Sequence, residues 1–556
     1  MSENSSDLNN IANIAGHLRR MAQIQPYKKA VVAPAGRNED GLVRYIHMTL
    51  RQLDKESDCL AHGLEAAGIT QGMRTVLMVT PGLEFITLTF ALFKAGIIPV
   101  IVDPGMGIKP MLRCLGVSRA EAFIGIPRAH LMRKIYPKHF KTVRKWVTVG
   151  RRWLWGGVKL DELRYRPWKP YPLAQVQNNE TAAILFTSGS TGPAKGVVYT
   201  HATFDAQVRH IRSRFEISSD EIDLPTFPLF ALFDPAMGMT AVIPDMDPTK
   251  PAQAEPQKLL EAIFNHGVTN MFASPALLRR LGAYSNRKNI KLPSLKRIIC
   301  AGAPVTPDIL NSLNPVLDKD AEVFTPYGAT EAMPVIVIGS NEILSKTAEL
   351  TKKGYGICVG RPIKGIEVKI INIYDDPIRI WSDDLVLQNG EIGEIAVRGD
   401  VVTQSYFESP MDDLLAKIKT DGTVWHRMGD LGWQDKRGRI WFCGRKNHRV
   451  VTAQETLFTI PCESIFNNHP NVFRSALVGI GDLPEQTPVI IIELHPDQDD
   501  KNKSQIRQEL LELAVLNEQT KDIDMILFHN DFPVDVRHNS KIFREKLAVW
   551  ASKQLE

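Results

Sequence analysis

Apolar residues fall into short runs along the chain, and the first clear group of runs predicts a βαβ unit. Residues 76–79 and 99–102 are continuous apolar runs, as is usual for strands buried on both faces. Between them, Leu83–Lys94 is long enough for a helix, and Gly96 follows it as a helix-ending residue. A strand, a helix and a second strand in this order predict two parallel strands joined by a right-handed crossover.

Two later strands are predicted to end in turns rich in glycine or polar residues. Arg297–Cys300 leads into residues 301–304. Residues 322–324 lead into residues 327–331. Because ligands of open α/β sheets bind beyond the carboxyl ends of strands, we expect these two turns to line a site. From Gly390 onward the pattern changes to short alternating strands, which predicts a smaller β subdomain.

The C-terminal tail is predicted to form a compact α+β unit. It has strand patterns at residues 476–480 and 489–494 and a helix pattern near residues 504–517. We place the domain boundary at Asn447. The expected class is α/β: a large N-terminal domain of doubly wound sheets with a β subdomain, then a small mobile α+β domain. The predicted ranges are 1–446, with the β subdomain at roughly 360–446, and 447–556.

Near the N-terminus, apolar residues at helical spacing predict a short amphipathic helix over residues 11–21. Ile11, Ile14, Leu18 and Met21 share one face, beside the basic Arg19. A helix that covers the core is the favoured interpretation. A helix that contacts a partner or lipid is the alternative.

Composition is that of an ordinary soluble globular protein, with 44% hydrophobic and 23% charged residues. A formal net charge of +5 over 556 residues is too small to indicate a nucleic-acid partner. The six cysteines lack metal-ligand spacing, so we expect reduced thiols and no zinc site. The N-terminus lacks the pattern of a secretory signal, and the most apolar region, residues 76–102, is interrupted by charged residues, proline and glycine. A cytoplasmic protein, at most peripherally membrane-associated, is expected.

Segment 133–169 differs from the rest because it mixes many lysines and arginines with tryptophans. The tryptophans are Trp146, Trp153, Trp155 and Trp168. A surface excursion whose aromatic side chains pack on the domain is the favoured interpretation. A docking surface for an anionic partner, a membrane or another protein is the alternative.

A loop rich in Ser, Thr and Gly follows the apolar run that ends at Phe186, and it is predicted to bind phosphate. Glycines allow the backbone N–H groups to turn inward, hydroxyls add donors, and Lys195 adds a positive charge. The spacing is not that of the G-x-x-x-x-G-K-[ST] loop of nucleotide hydrolases. An ordinary surface loop is the alternative. The predicted phosphate-binding residues are Thr187, Ser188, Gly189, Ser190, Thr191, Gly192 and Lys195.

The ten-residue string at 187–196 resembles the signature loop of the adenylate-forming superfamily, which includes acyl-CoA synthetases, peptide-synthetase adenylation domains and beetle luciferases. Residues 327–331 resemble the second signature of that superfamily. This resemblance implies that Tyr327, with Gly328, stacks on adenine, that Thr330 contacts the α-phosphate and that Glu331 holds Mg²⁺. It also places a second turn beside the adenine, formed by Gly302, Ala303 and Pro304. A hard cation held by one carboxylate and substrate phosphates is typical of Mg²⁺.

Two further motifs follow in family order. Residues 428–431 and 444–445 resemble the ribose motifs, which implies that Asp430 accepts hydrogen bonds from the ribose hydroxyls and that Arg445 supports the sugar. Residues 532–535 and 540–544 resemble the C-terminal motif, which implies that Lys541 reaches the carboxylate being activated. The implied catalytic set is therefore Lys541, Thr330, Glu331 and Lys195, with ATP and Mg²⁺.

The chain departs from the usual acyl-CoA ligases at three positions. Gln454 falls where most of them carry a loop glycine that lines the pantetheine tunnel, which speaks against CoA as a substrate. Asn447 replaces an often acidic hinge residue. Ala231 stands where many have histidine, which makes that position more apolar.

With these departures, the chain most resembles the β-lactone synthetases of bacterial long-chain olefin biosynthesis. The resemblance implies ATP-dependent activation of a 2-alkyl-3-hydroxy fatty acid. Its own 3-hydroxyl then attacks the acyl-adenylate to close a β-lactone and release AMP. It also makes a multienzyme assembly with other olefin-pathway enzymes an open interpretation. The alternatives are a fatty acyl-CoA or acyl-AMP ligase and, as a third, a non-catalytic adenylate-binding protein.

Overall fold

The computed structural model describes residues 12–164, 167–186, 194–496, 502–534 and 542–556, and every structural statement below refers to these. One large sheet has seven strands, all parallel except for the antiparallel last pair. In spatial order its strands are Val158–Lys159, Lys145–Thr148, Ala122–Gly125, Arg74–Met78, Ile98–Val102, Thr181–Phe186 and Gly196–Thr200.

A second sheet of 14 strands has a parallel part and an antiparallel part. The parallel part, with one antiparallel edge strand, contains Val43–Thr49, Lys29–Arg37, Thr240–Val242, Ile222–Pro225, Asn270–Ala273, Arg297–Cys300 and Glu322–Ala329. The antiparallel part continues through Ala332–Gly339, Ile357–Pro362, Ile440–Arg445, Thr423–Gln434, Gly393–Arg398 and Glu367–Ile371, with Lys417–Thr420 beside Thr423–Gln434.

Helices pack on both large sheets. One hydrophobic core contains Val197 from the seven-stranded sheet, Ile336 from the 14-stranded sheet and Ile86 from the helix Leu83–Lys94. The α-helices before residue 447 are Ala15–Ile24, Leu50–Ala66, Leu83–Lys94, Ile108–Val117, Pro127–Ile135, Leu160–Leu163, His201–Arg214, Phe233–Met237, Pro256–His266, Pro275–Arg287, Pro307–Leu313, Ser340–Glu342, Ala348–Lys352 and Pro410–Ala416.

The C-terminal part has its own sheet and its own core. A hairpin comes first, followed by a three-stranded sheet and three helices. The elements are Val450–Val451, Thr456–Leu457, Val472–Ile480, Thr487–Leu494, Met525–Phe528, and the helices Thr459–Phe466, Lys503–Val515 and Arg544–Leu555. The α+β character predicted for the tail is therefore present. The boundary at Asn447 stays a prediction, and the residue lies in the short 3₁₀ helix Lys446–His448.

The predicted βαβ unit is present, with its helix at the expected residues. Arg74–Met78 and Ile98–Val102 pair in parallel and are joined through Leu83–Lys94. The predicted N-terminal helix runs over Ala15–Ile24, and it buries Leu18 and Met21 as a core-covering helix should. Ile11 lies outside the described residues.

The expectation that the strand at residues 322–324 ends before the motif at residues 327–331 is wrong. The strand runs over Glu322–Ala329 and turns back at Thr330 and Glu331 into Ala332–Gly339. Its register shifts between Tyr327 and Ala329, a bulge that interrupts the alternation of side chains. The motif is therefore the end of a hairpin and lies at the junction of the parallel and antiparallel parts of the sheet.

Segment 133–169 packs part of its aromatic content on the domain and leaves part exposed. Trp155 is buried, and its ring stacks on His130 with the ring centroids 5.3 Å apart. The guanidinium of Arg133 lies 4.5 Å from the centroid of the Trp146 ring. Trp153 and Leu154 are exposed. No described helix has the length and apolarity to span a bilayer.

Two buried carboxyl groups face each other where the parallel part of the 14-stranded sheet meets a short helix. Asp223 lies in the strand Ile222–Pro225, and Asp234 lies in the helix Phe233–Met237. Their side chains hydrogen-bond, and Asn270 Nδ2 donates to Asp223 Oδ1 at 2.5 Å. Burial raises the pKa of Asp223 to about 7, and burial beside Asp223 raises that of Asp234 well above its usual range. The pair therefore holds a proton at neutral pH.

This pair predicts a pH-dependent stability. Both groups ionise near 4 in the unfolded chain but keep protons in the folded one, so the free energy of unfolding should fall as pH rises from about 4 to about 7. The slope is up to about 1.4 kcal/mol per pH unit for each proton. Asp234→Asn should flatten this slope in urea unfolding, whereas Asp482→Asn, at an exposed position, should leave it unchanged. Parallel pH profiles for wild type and Asp234→Asn would contradict the assignment.

Candidate functional site

A cavity of about 1960 Å³ lies where the two large sheets and the C-terminal part approach one another. Its walls come from several of the turns and strand ends singled out in the sequence, together with the start of the last helix. Predicted site residues that line it are Lys195, Gly302, Ala303, Pro304, Tyr327, Gly328, Thr330, Glu331, Asp430 and Arg445. The structure therefore brings together ten predicted residues from five separate stretches of the chain.

Seven predicted residues lie outside the described part of the chain, namely Thr187, Ser188, Gly189, Ser190, Thr191, Gly192 and Lys541. Residues that follow them in the chain line the same cavity. Ala194 and Lys195 line it after the phosphate loop, and Ile542 and Phe543 line it after Lys541. The expected roles of the seven residues stay predictions.

The turn of Thr330 and Glu331 is fixed by hydrogen bonds from side chains of distant segments. The Tyr199 hydroxyl, on the last strand of the seven-stranded sheet, donates to Thr330 O at 2.5 Å. The backbone N–H of Thr403 donates to Glu331 O at 2.9 Å, and the Tyr406 hydroxyl donates to Glu331 Oε1 at 2.7 Å. The second carboxylate oxygen of Glu331 is not used by Tyr406, and a hard anionic oxygen fits the predicted magnesium ligand.

Two lysines lie near Tyr406, the residue that donates to Glu331 of this turn. Lys195 Nζ lies 2.8 Å from Asp412 Oδ1 and 5.2 Å from the centroid of the Tyr406 ring. Lys417 is buried and donates to the backbone oxygen of Thr403. Burial lowers the pKa of Lys417 to about 8, which the nearby Glu331 carboxylate partly offsets. The two lysines share this region with three carboxylates, since Lys195 pairs with Asp412 while Glu331 and Asp413 lie near Lys417.

His426 also lines the cavity. Its imidazole is neutral, so it can donate or accept a hydrogen bond but carries no positive charge. Its Nδ1 lies 3.2 Å from Ala416 O. Burial, with the charge of Lys417, lowers the pKa of His426 well below its usual range. The sequence analysis did not identify Tyr406, Lys417 or His426, because each is an isolated residue outside the recognised motifs. Only Tyr406 has its partner far away in the chain, since Glu331 is 75 residues distant.

The predicted ribose residues form one connected group with Tyr327. The Tyr327 hydroxyl donates to Asp430 Oδ2 at 2.7 Å, and Arg445 NH1 lies 2.9 Å from Asp430 Oδ1. Burial and the Asp430 carboxylate raise the pKa of Tyr327 well above its usual range, so the phenol stays a donor. Gly429 beside them has φ +66°, a conformation that favours glycine.

The C-terminal part closes one side of the cavity through a buried ion pair. Arg544 NH2 lies 2.6 Å from Glu463 Oε2, and Arg544 Nε donates to Glu463 Oε1 at 3.1 Å. Glu463 Oε1 also accepts a hydrogen bond from Leu477 N at 2.9 Å. This pair fixes the start of the last helix next to Ile542 and Phe543.

The three departures from the usual ligases are in different surroundings. Gln454 is at the exposed tip of the hairpin and is not among the described residues that line the cavity. Asn447 lines the cavity. Ala231 is buried, and the neighbouring Phe230 stacks on Phe272 with 3.8 Å between ring centroids. The region of Ala231 is apolar, as predicted from the sequence.

Together, the fold and this cavity define an enzyme class. A family model described as AMP-binding enzyme matches residues 18–407, which is more than half of the chain. The chain belongs to this family, so the predicted membership is confirmed.

Within the family, the chain is 46% identical over 557 residues to the olefin beta-lactone synthetase of Stenotrophomonas maltophilia strain K279a, covering 99% of this chain and 100% of that protein. It is 45% identical to the olefin beta-lactone synthetase of Xanthomonas campestris pv. campestris, covering 98% of each chain. A feruloyl-CoA synthase of Amycolatopsis is 25% identical over 78% of this chain. The predicted resemblance within the superfamily is therefore confirmed.

Solved structures share the fold at low sequence identity. The amide bond synthetase McbA of Marinactinospora thermotolerans matches with a TM-score of 0.78 and 20% identity, covering 97% of this chain and 99% of that one. O-succinylbenzoate coenzyme A synthetase (MenE) of Bacillus subtilis, in complex with ATP and magnesium ion, matches with a TM-score of 0.72 and 22% identity, covering 96% of this chain and 98% of that one. These matches confirm the predicted fold class.

The contact between Tyr327 and Asp430 gives a prediction for nucleotide binding. Tyr327→Phe removes the donor that holds Asp430 Oδ2, so AMP affinity should fall about threefold to tenfold. Titration calorimetry with AMP measures the change. Tyr355→Phe is the matched control, since Tyr355 packs against Trp433 and Trp441 at a distance from the cavity. Equal AMP affinity in wild type and Tyr327→Phe would show that Asp430 needs no such support.

Proposed function

We propose that this enzyme activates a long-chain 2-alkyl-3-hydroxy fatty acid with ATP and then closes it to a β-lactone. The observation that carries the proposal is the 45–46% identity, over nearly the whole chain, to two olefin beta-lactone synthetases. The cavity supports it, since one wall carries the charged residues around Glu331 and another carries apolar and aromatic side chains. The apolar set is Val197, Ile211, Phe215, Phe230, Phe233, Phe272 and Met333.

The first half-reaction joins the acid to AMP. A carboxylate oxygen attacks the α-phosphorus of ATP, and pyrophosphate leaves with the electron pair of the broken bond. Lys195, with residues 187–192, binds the phosphates, and Thr330 contacts the α-phosphate. Mg²⁺ held by Glu331 would offset negative charge on the phosphates. Lys541 bridges the carboxylate and the α-phosphate.

The remaining predicted residues hold the nucleoside. Tyr327 and the turn at residues 302–304 bind adenine, while Asp430 and Arg445 bind ribose. The ion pair of Arg445 and Asp430 supports this role, because it presents a fixed carboxylate whose position the Tyr327 hydroxyl also restrains.

The second half-reaction consumes the adenylate internally. The 3-hydroxyl oxygen attacks the carboxyl carbon, the bond from that carbon to the AMP oxygen breaks, and AMP leaves. Holding nucleophile and carbonyl together supplies the proximity that a strained four-membered ring needs. An internal nucleophile needs no tunnel for a second substrate, in agreement with a glutamine at position 454.

Two finer proposals concern partners and location. Segment 133–169 offers exposed Trp153 and Leu154 beside basic residues, which suits peripheral contact with an anionic membrane by an otherwise cytoplasmic protein. A long-chain product is poorly soluble in water, which favours transfer within an assembly of olefin-pathway enzymes. We propose no nucleic-acid partner.

The product test separates the lactone synthetase from an acyl-CoA ligase. With a 3-hydroxy acid, AMP should form in equal amounts with β-lactone, at a rate that does not depend on CoA. The matched acid without the hydroxyl should stop at the adenylate or turn over by slow hydrolysis. Mass spectrometry of the products, with and without CoA, measures both. A thioester formed faster from the acid lacking the hydroxyl would instead make this enzyme an acyl-CoA ligase.

The metal role of Glu331 has its own test. Glu331→Gln keeps the side-chain volume and an oxygen that can accept from Tyr406, but it removes the charge. The Mg²⁺ concentration for half-maximal pyrophosphate release should rise about tenfold or more. Glu408→Gln, an exposed acid two residues beyond Tyr406, is the control. Superimposable Mg²⁺ titrations for wild type and Glu331→Gln would exclude Glu331 as a ligand.

A further inference from the structure

One cationic side chain of the cavity differs from the others because it has no acidic partner. Arg113 lines the cavity from the helix Ile108–Val117. Its guanidinium makes no ion pair and no side-chain hydrogen bond with any residue in the part of the chain that the structure describes. The other described lysines and arginines that line the cavity each have a carboxylate oxygen at 3.4 Å or less. They are Lys195, Lys352, Arg427, Arg445, Lys446 and Arg544.

Arg113 lies on the face of its helix that borders the cavity. Pro110, Arg113 and Cys114 all line the cavity, and residues three and four apart share one face of an α-helix. Met106, from the turn before the helix, lines the cavity too, and its sulfur lies 3.8 Å from Cys114 Sγ. Cys114 is buried, whereas Arg113 is exposed. A ligand in the cavity can therefore reach the Arg113 side chain.

The segment before this helix leaves the sheet beside the predicted phosphate loop. The strands Ile98–Val102 and Thr181–Phe186 pair in parallel, so their carboxyl ends lie at the same edge of the seven-stranded sheet. One of these strands leads to the helix of Arg113, and the other leads to the loop. Asp103 N donates to Phe186 O at 3.0 Å, which holds the two exits together.

The residues on the other side of the loop also lie near this helix. Phe186 and Cys114 belong to one hydrophobic cluster, and Ala194 packs against that cluster. Ala194 directly precedes Lys195, for which phosphate binding is predicted. The described residues that flank the loop, Phe186 and Ala194, are therefore both packed with the helix that carries Arg113.

The charges near Glu331 leave a polyanion short of positive partners. Lys195 and Lys417 share that region with three carboxylates, which outnumber them. A triphosphate that binds there needs further positive charge. Arg113 supplies a charge that no described carboxylate neutralises, and a guanidinium presents several N–H donors to phosphate oxygens in one plane.

We infer that Arg113 binds the β- and γ-phosphates of ATP and holds pyrophosphate as it leaves. The inference deepens the proposed function and rests on it for ATP as the first substrate. In the first half-reaction a carboxylate oxygen bonds to the α-phosphorus, and the bond from that phosphorus to the oxygen it shares with the β-phosphate breaks with its electron pair on pyrophosphate. A guanidinium that stays positive throughout offsets the negative charge that develops there.

Exchange of labelled pyrophosphate into ATP tests this role because it uses both ligands. In Arg113→Gln, the KM for pyrophosphate and the KM for ATP should each rise about tenfold, the loss expected for one hydrogen bond between charged groups. The Kd of AMP, measured by titration calorimetry, should stay unchanged, since AMP lacks the β- and γ-phosphates. Arg113→Lys keeps the charge and should recover part of the affinity for pyrophosphate.

Lys109→Gln is the matched control. Lys109 is an exposed cation on the same helix, four residues before Arg113, and it is not among the described residues that line the cavity. This variant removes the same charge from the same helix, so both KM values should stay near those of wild type. Equal shifts in Lys109→Gln and Arg113→Gln would show that only the general field of the surface acts, and they would overturn the inference.

The outcomes also separate this inference from the proposed function. Unchanged KM values in Arg113→Gln, or an equal loss of AMP affinity, would overturn the role of Arg113 whichever product wild type makes. If wild type makes no lactone while Arg113→Gln loses affinity for ATP and pyrophosphate but not for AMP, the role of Arg113 stands and the lactone proposal fails. If wild type shows no exchange with any acid offered, calorimetry with ATP and Mg²⁺ in the absence of acid decides. Equal Kd values for ATP in wild type and Arg113→Gln would then overturn the inference.

Discussion

The site depends on how one turn is held between two sheets. Thr330 and Glu331 end a hairpin of the 14-stranded sheet, yet Tyr199, from the seven-stranded sheet, and Tyr406, from a connecting loop, supply their hydrogen bonds. A two-residue turn has few intrahairpin bonds of its own, so its position is set by these neighbours. The relative placement of the two sheets therefore determines the position of Thr330 and Glu331, where we propose that phosphate and a metal ion bind.

In the same region, the positive charges of Lys195 and Lys417 are compensated by nearby oxygen atoms. Lys195 is paired with Asp412, and buried Lys417 donates to Thr403 while it lies near Glu331. Each lysine is thus kept in place by an oxygen before a polyanion arrives, which lowers the reorganisation needed on binding. Both ammonium groups also lie near the Tyr406 ring, 5.2 and 5.6 Å from its centroid for Lys195 and Lys417.

Sequence patterns predicted the local elements and the residues of ordered motifs, but not the contacts between distant segments. Leu83–Lys94 and Arg297–Cys300 have the predicted bounds because periodicity and glycine punctuation are local signals. The extent of Glu322–Ala329 was missed, since a bulge disturbs its alternation. Tyr406 could not be predicted either: its partner Glu331 lies 75 residues away, and no spacing rule connects such a pair.

The apolar lining of the cavity suits an internal nucleophile. A site that must admit a second substrate has to stay open near the carbonyl, and open space there also admits water, which would hydrolyse the adenylate. Here Phe230 and Phe272, which stack on each other, line the cavity next to the buried Ala231 and make this part of it apolar. The acid's own hydroxyl is already tethered to the carbonyl, so it needs no access from outside the site. The site can therefore exclude water and still allow the acid's own hydroxyl to attack the adenylate.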